Sequence, residues 1–177
     1  MKSVKLADKE FVPYLSEEKV NQKVQEMAKK ISVDYADKNP VILGVLNGAF
    51  MFLADLSKGL EMESQITFIR LASYSGTETT GKVVELYGLE FDIENRHVIV
   101  VEDIIDTGLT MQALKKLLES KKPASVKLAV FLIKPEALRC EMEVDYLGFE
   151  IPNDFVIGYG MDYDGYGRNL ASIFQLK

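Results

Sequence analysis

The run Val98-Ile99-Val100-Val101 is apolar and β-branched throughout. It stops at the adjacent acids Glu102-Asp103 and passes through Ile104-Ile105-Asp106-Thr107-Gly108-Leu109-Thr110 into the helical pattern Met111-Gln112-Ala113-Leu114-Lys115-Lys116-Leu117-Leu118. Few architectures accept that order, because a strand with no polar face is buried on both sides and belongs in a parallel sheet. The rest of the chain repeats the pattern. Ser16-Glu17-Glu18 is a capped, acid-first helix start, followed by Val20, Val24, Met27, Ala28 and Ile31 at helical spacing and stopped at Asn39-Pro40. Val41 to Leu46 reads as a short buried strand that turns at Asn47-Gly48 into a helix through Phe50, Phe52, Leu53 and Leu56. Ile66 to Leu71, Val83 to Tyr87, Ser125 to Ile133, Tyr146 to Ile151 and Phe155 to Tyr159 read as further strands. Strands alternating with helices predict an α/β fold: a mostly parallel, twisted sheet flanked by helices. Ligands of such sheets lie beyond the C-terminal strand ends. Three suggestive spots fall there: after Leu46, after Val101 and after Ile133.

The 177 residues suit a single domain, with no internal repeat or linker. A balance of 21 basic against 27 acidic residues argues against a protein built to grip nucleic acid, which needs a positive surface. The lone cysteine, Cys140, can form no internal disulfide and fits a reducing compartment. Residues Met1 to Glu10 carry charges where a secretory signal needs an apolar core, and no apolar run approaches the ~20 residues of a membrane span. These features predict a cytoplasmic protein with no membrane contact.

The chemistry concentrates after the central strand. A helix N-terminus offers free N–H groups and a favourable dipole to an anion. Carboxylates one step earlier suit sugar hydroxyls or a magnesium ion, so the expected ligand is phosphorylated and rich in hydroxyls. Glu102, Asp103 and Asp106 would repel one another unless a cation or hydroxyl donors lay between them; their bland reading is a solvated helix cap. Lys134 ends an apolar strand, an expensive place for an ammonium without a partner, unless it snorkels to the surface. Ser73 to Gly81 is a polar stretch without apolar period, a hairpin tip or a mobile lid. His97 precedes the key strand and should lie at the end away from the ligand.

The wording Val101-Glu102-Asp103-Ile104-Ile105-Asp106-Thr107-Gly108 resembles the type I phosphoribosyltransferases, and their hypoxanthine-guanine branch in particular. Gly44-Val45-Leu46-Asn47-Gly48-Ala49-Phe50, Phe68-Ile69-Arg70-Leu71-Ala72-Ser73-Tyr74, Lys134, Gly148 to Pro152, Phe155 to Tyr159 and Met161-Asp162-Tyr163 agree in order and spacing, so the likeness runs over about residues 10 to 170. It implies a core over about 36–145 and a small hood from the N-terminal segment and about 146–177.

The resemblance also implies roles. Glu102 and Asp103 would hold ribose hydroxyls, in part through Mg2+. Asp106, Thr107, Gly108, Leu109 and Thr110 would cradle the 5′-phosphate of phosphoribosyl pyrophosphate (PRPP), and Asp106 would take the proton from purine N7. Leu46, Asn47 and Gly48 would form the pyrophosphate loop, where the family commonly carries Lys or Arg in place of Asn47 and often a non-proline cis peptide. Ser73 and Tyr74 would belong to a closing lid, with Ala72 where some relatives have Lys. Lys134 would donate to the purine O6, Phe155 would stack on the base and Val156 would meet its edge through the backbone. Asp162 would bind a second magnesium or the purine 2-position, and Arg168 would reach the pyrophosphate. Purine salvage, giving IMP and GMP, is the implied function. A nucleotide-sensing regulator of the same fold that binds RNA or DNA is the alternative. A homodimer or homotetramer is expected, with Phe50 to Phe52 suiting an interface.

Overall fold

The computed structural model describes residues 2–73, 84–89 and 92–177. In chain order the elements are β1 (Val4–Leu6), β2 (Lys9–Leu15), α1 (Glu17–Asp34), β3 (Val41–Leu46), α2 (Phe50–Lys58), β4 (Gln65–Ser73), β5 (Val84–Tyr87), β6 (His97–Ile105), α3 (Leu109–Glu119), β7 (Ser125–Ile133), β8 (Tyr146–Glu150), β9 (Val156–Ile157) and β10 (Ile173–Leu176). Six strands form the main sheet in the order β5-β4-β3-β6-β7-β8. Five of them are parallel to their neighbours, and β5 pairs antiparallel with β4 at one edge. A second, antiparallel sheet has the order β1-β2-β10-β9.

Strand alternation explains the continuous apolar runs. On β6, Ile99 and Val101 join Ile42, Ala129 and Phe131 beneath α1 and α2. Val98 and Val100 join Leu43, Val45, Leu128 and Val130 beneath Met111, Leu114 and Leu118 of α3. All these side chains are buried. Helices on both faces leave no side for polar residues, so polarity is pushed to the strand ends.

The Ser16 hydroxyl caps α1 by accepting the Lys19 N–H at 3.3 Å. The helix stops at Asp34, ahead of the expected Asn39-Pro40, because Tyr35 leaves helical geometry and turns its ring into the core. The acids Glu102 and Asp103 lie within β6, not after it: the strand continues pairing with β7 through Ile105 and Ile133. Tyr146–Glu150, expected in the hood, is an edge strand of the main sheet. The small sheet instead draws on Val4–Leu15 and Val156–Leu176, around Phe11, Ile157 and Phe174. Of Phe155 to Tyr159, only Val156–Ile157 is strand.

The sheet and the hood meet at an aromatic cluster. The Phe131 ring centroid lies 5.2 Å from Phe52 of α2, 5.6 Å from Phe149 of β8 and 5.0 Å from Tyr159. Replacing Phe131 with Ala should therefore lower unfolding free energy by about 3–5 kcal/mol, the usual result for a truncated core aromatic. Urea unfolding followed by circular dichroism measures it, and a change under 1 kcal/mol would mean that the cluster is not a structural joint.

Candidate active site

The loop after β6 is built for an anion. Gly108 has φ +77° and caps α3, a conformation that side chains resist. A Cβ there would also lie only 2.9 Å from Cys140 Sγ and 3.3 Å from Leu138. The Arg139 N–H donates to the Thr107 carbonyl at 3.0 Å, so the segment after β7 props the loop from behind. No acidic residue stands in the first turn of α3 and no side chain caps it, which leaves its N–H groups and dipole for a ligand. The cavity in front holds about 180 Å³ and is lined by Glu102, Asp106, Thr107, Gly108 and Thr110 among others. Leu109, the first residue of α3, is exposed.

Strand alternation then separates the two adjacent acids. Glu102 faces that cavity, and its Oε2 is enclosed with no hydrogen-bond partner among the described residues. Burial, and secondarily the charge of Asp103, holds the Glu102 carboxyl well above the usual carboxylate range. Asp103 instead abuts Gly48 in the loop after β3, where a Cβ would come within 1.8 Å of its Oδ2. Burial pushes Asp103 up to about 6; nearby backbone N–H groups and the Arg168 guanidinium oppose this, while Asp162 adds to it. The Leu46-Asn47 peptide of the same loop is cis. Leu46 is half-buried and Asn47 exposed.

Arg168 and Asp162 come from the hood. They form an ion pair, Arg168 donates to the Gly160 carbonyl at 2.8 Å, and Asp162 accepts the Gly165 N–H at 2.7 Å. Lys134, at the end of β7, does not snorkel. It is 6% exposed, and its Nζ lies 2.9 Å from Asp106 Oδ1. The half-exposed Phe155 ring stands edge-on to Tyr163 at 5.9 Å, beside the buried Val156. Ser73 is the last residue of β4, whereas Tyr74 and Gly76 to Gly81 lie outside the described residues. His97 starts β6 at the opposite end, bonded to Ser125 at 2.8 Å.

The structure thus brings Asp106, Thr107, Gly108, Thr110, Glu102 and Lys134 to one side of the β6 tip. Gly48, Asp103, Asp162 and Arg168 gather on the other. The three acids expected to share metal duty do not form one cluster: among the described residues, no group of three His, Cys, Asp or Glu side chains could cage an ion. The donors still fit magnesium, which is ordinarily held by one or two carboxylates and completed by water and substrate oxygens. The orphaned Glu102 oxygen is a group that a cation or a hydroxyl donor would satisfy. Sequence reading missed the Arg139 and Cys140 prop and the Gly158-Tyr159-Gly160 turn, whose glycine spacing was the available signal.

The sequence profile of the family described as "Phosphoribosyl transferase domain" matches residues 14–164. The chain belongs to this family. It is 39% identical to a hypoxanthine-guanine phosphoribosyltransferase of Aquifex aeolicus over 92% of its own length and 93% of the relative's. Identity to one of Staphylococcus epidermidis is 42%, over 92% of each chain. A crystal structure of a hypoxanthine-guanine phosphoribosyltransferase from Bacillus anthracis superposes with a TM-score of 0.86 at 39% identity, covering 93% of this chain and 98% of that one. The chain is accordingly a phosphoribosyltransferase of the parallel-sheet type anticipated from sequence.

The contact between Gly48 and Asp103 makes an exacting prediction. Gly48→Ala must displace the Asp103 carboxylate, and a shift of about 1 Å at a reacting centre costs on the order of 10²-fold in turnover. Steady-state kinetics and a melting curve test it together; the activity should fall while the fold survives. Wild-type turnover would show that Asp103 has room to spare.

Proposed function

We propose that the chain transfers the phosphoribosyl group of PRPP to hypoxanthine, and to guanine, releasing pyrophosphate and forming IMP or GMP in purine salvage. The observation that carries this reading is the Lys134–Asp106 pair beside the helix N-terminus of α3, which no side chain caps. It sets a buried donor and a half-exposed carboxylate next to an anion cavity. Lys134 donates to the purine O6, which favours 6-oxopurines: adenine would present an amino donor to a donor. Phe155 stacks on the base, and the Val156 backbone meets its edge. Thr107, Gly108, Leu109, Thr110 and Asp106 hold the 5′-phosphate. Glu102 and Asp103 hold ribose hydroxyls on the two sides of the strand tip. Leu46, Asn47, Gly48 and Arg168 receive the pyrophosphate.

In the reaction, purine N9 forms its bond to C1′ as the bond from C1′ to the pyrophosphate oxygen breaks, with that electron pair leaving on pyrophosphate. Asp106 accepts the N7 proton. Positioning and electrostatic stabilisation of the leaving group supply most of the acceleration. Magnesium would be held by Glu102 or Asp103 at the strand tip and a second ion by Asp162, each completed by water and substrate oxygens, and when bound would supply positive charge to the departing pyrophosphate. Asp162, paired with Arg168, serves either that ion or the purine 2-position.

A homodimer or homotetramer in the cytoplasm is the setting we propose. Exposed Phe50, Ile66 and Phe68 support self-association, although Phe52 is wholly buried and belongs to the core rather than to an interface. No described helix is long and apolar enough to cross a membrane. The relatives named above are transferases, so a regulator that binds RNA or DNA finds no support among them.

The direct test is purified protein with Mg2+, PRPP and hypoxanthine, guanine or xanthine, following nucleotide and pyrophosphate together. Equimolar formation of both with hypoxanthine is expected; absence of either product overturns the proposal. Asp106→Asn should lower turnover by ~10²-fold or more, the usual loss for a general base, and full activity would remove Asp106 from proton transfer. Lys134→Met should raise the KM for purine by about 10- to 100-fold while leaving that for PRPP within about twofold, as loss of one charged hydrogen bond dictates. Equal losses for both substrates would refute the O6 contact.

A further inference from the structure

Three successive residues in the hood, Gly158, Tyr159 and Gly160, have φ of +94°, +49° and +100°. Glycine adopts such angles freely, but a tyrosine there is strained and persists only where its surroundings over-determine it. What holds Tyr159 is plain. Its ring is buried in the core against Phe131, with centroids 5.0 Å apart, and its hydroxyl donates to Asp55 Oδ2 on α2 at 3.0 Å. The adjoining backbone is tied as firmly: the Tyr159 N–H donates to the Leu170 carbonyl at 2.7 Å and the Gly160 N–H to the Arg168 carbonyl at 2.9 Å.

The consequence lies one residue further on. Gly160 is pressed against the loop after β3, where a Cβ on it would come within 1.9 Å of the Gly48 carbonyl oxygen. Its own carbonyl accepts the Arg168 guanidinium, which also pairs with Asp162. The same Gly48 abuts Asp103. A line of contacts therefore runs from Asp55 through Tyr159 and Gly160 to Arg168 on one branch and to Gly48 on the other. Burial, followed by the Asp55 charge, raises the Tyr159 phenol, so it remains a donor at neutral pH.

We infer that Tyr159 and Asp55 form a positioning pair, a peg driven from the hood into α2 that holds Arg168 where the pyrophosphate of PRPP binds. Neither residue touches substrate. This role rests on the assignment of Arg168 to pyrophosphate made above. It goes further by naming the groups that keep that arginine in place across the boundary between hood and core.

Tyr159→Phe keeps the ring and removes only the hydroxyl. It should melt no more than about 4 °C below wild type, the scale of one hydrogen bond in a chain of this size. Its KM for PRPP should rise about tenfold, equivalent to one hydrogen bond to a charged group, with the KM for purine unchanged. Asp55→Leu should behave in the same way, whereas Asp55→Asn retains an acceptor oxygen and should restore the KM for PRPP. In an Arg168→Gln background, Tyr159→Phe should add no further loss, because both changes act through one guanidinium. A KM for PRPP unaltered in Tyr159→Phe, or a full additional loss in the Arg168→Gln background, overturns the inference. Wild-type protein inert towards PRPP would instead overturn the functional reading, so the two failures are distinct.

Discussion

Burial of β6 between β3 and β7 is the constraint from which the rest of the site follows. A central parallel strand has helices on both faces, so its polar residues can stand only at its C-terminal tip. There the pleat still governs direction: Glu102 and Asp103 are neighbours in sequence yet serve opposite faces. Two acids that could have made one crowded anionic site become two half-sites. Glu102 looks at the loop leading into α3, and Asp103 looks at the β3 loop and the hood. A substrate with a phosphate at one end and a pyrophosphate at the other can straddle such a tip. In the proposed reading its sugar hydroxyls would meet a carboxylate on each side.

The Lys134–Asp106 pair shows how the fold makes a costly group tolerable. An ammonium 6% exposed at the end of β7 would be strongly destabilising alone. Asp106 lies on the loop after the neighbouring strand, and the parallel register of β6 with β7 brings its carboxylate to 2.9 Å from the ammonium. The Asp106 side chain remains 55% exposed, so it satisfies the lysine while staying open to a ligand. One contact thereby satisfies the buried ammonium and leaves the Asp106 carboxylate open to solvent.

The parallel sheet was legible because its signal is strong: largely apolar runs at Val41–Leu46, Val98–Val101 and Val126–Ile133 are best satisfied in a doubly covered sheet. The strand-to-helix loop was legible because Asp-Thr-Gly between a buried strand and a helical pattern combines turn chemistry and cap geometry in consecutive residues. Three of the four hood strands were not. Val4–Leu6 and Ile173–Leu176 are short, and Lys9–Leu15 carries Lys9, Glu10 and Pro13, a residue that weakens any strand reading. Their pairing joins the two ends of the chain, which no local pattern reveals. The Lys134 partner escaped for the same reason. Lys134 and Asp106 are remote in sequence, and only sheet register makes them neighbours. The strand tip was also misjudged, since acids read as the end of a buried run when they are its last pleats.

The hood raises a question of stability that bears on its function. Its own core is small, with Phe11, Ile157 and Phe174 as the buried centre of a four-stranded sheet. A sheet of that size has little apolar area to set against the entropy of ordering its chain. It borrows stability from the larger core, in which Val156, Tyr159, Met161 and Ile173 of the hood are buried together with Phe52 and Phe131. Arg168 and Asp162 are therefore ordered by packing that originates outside the hood.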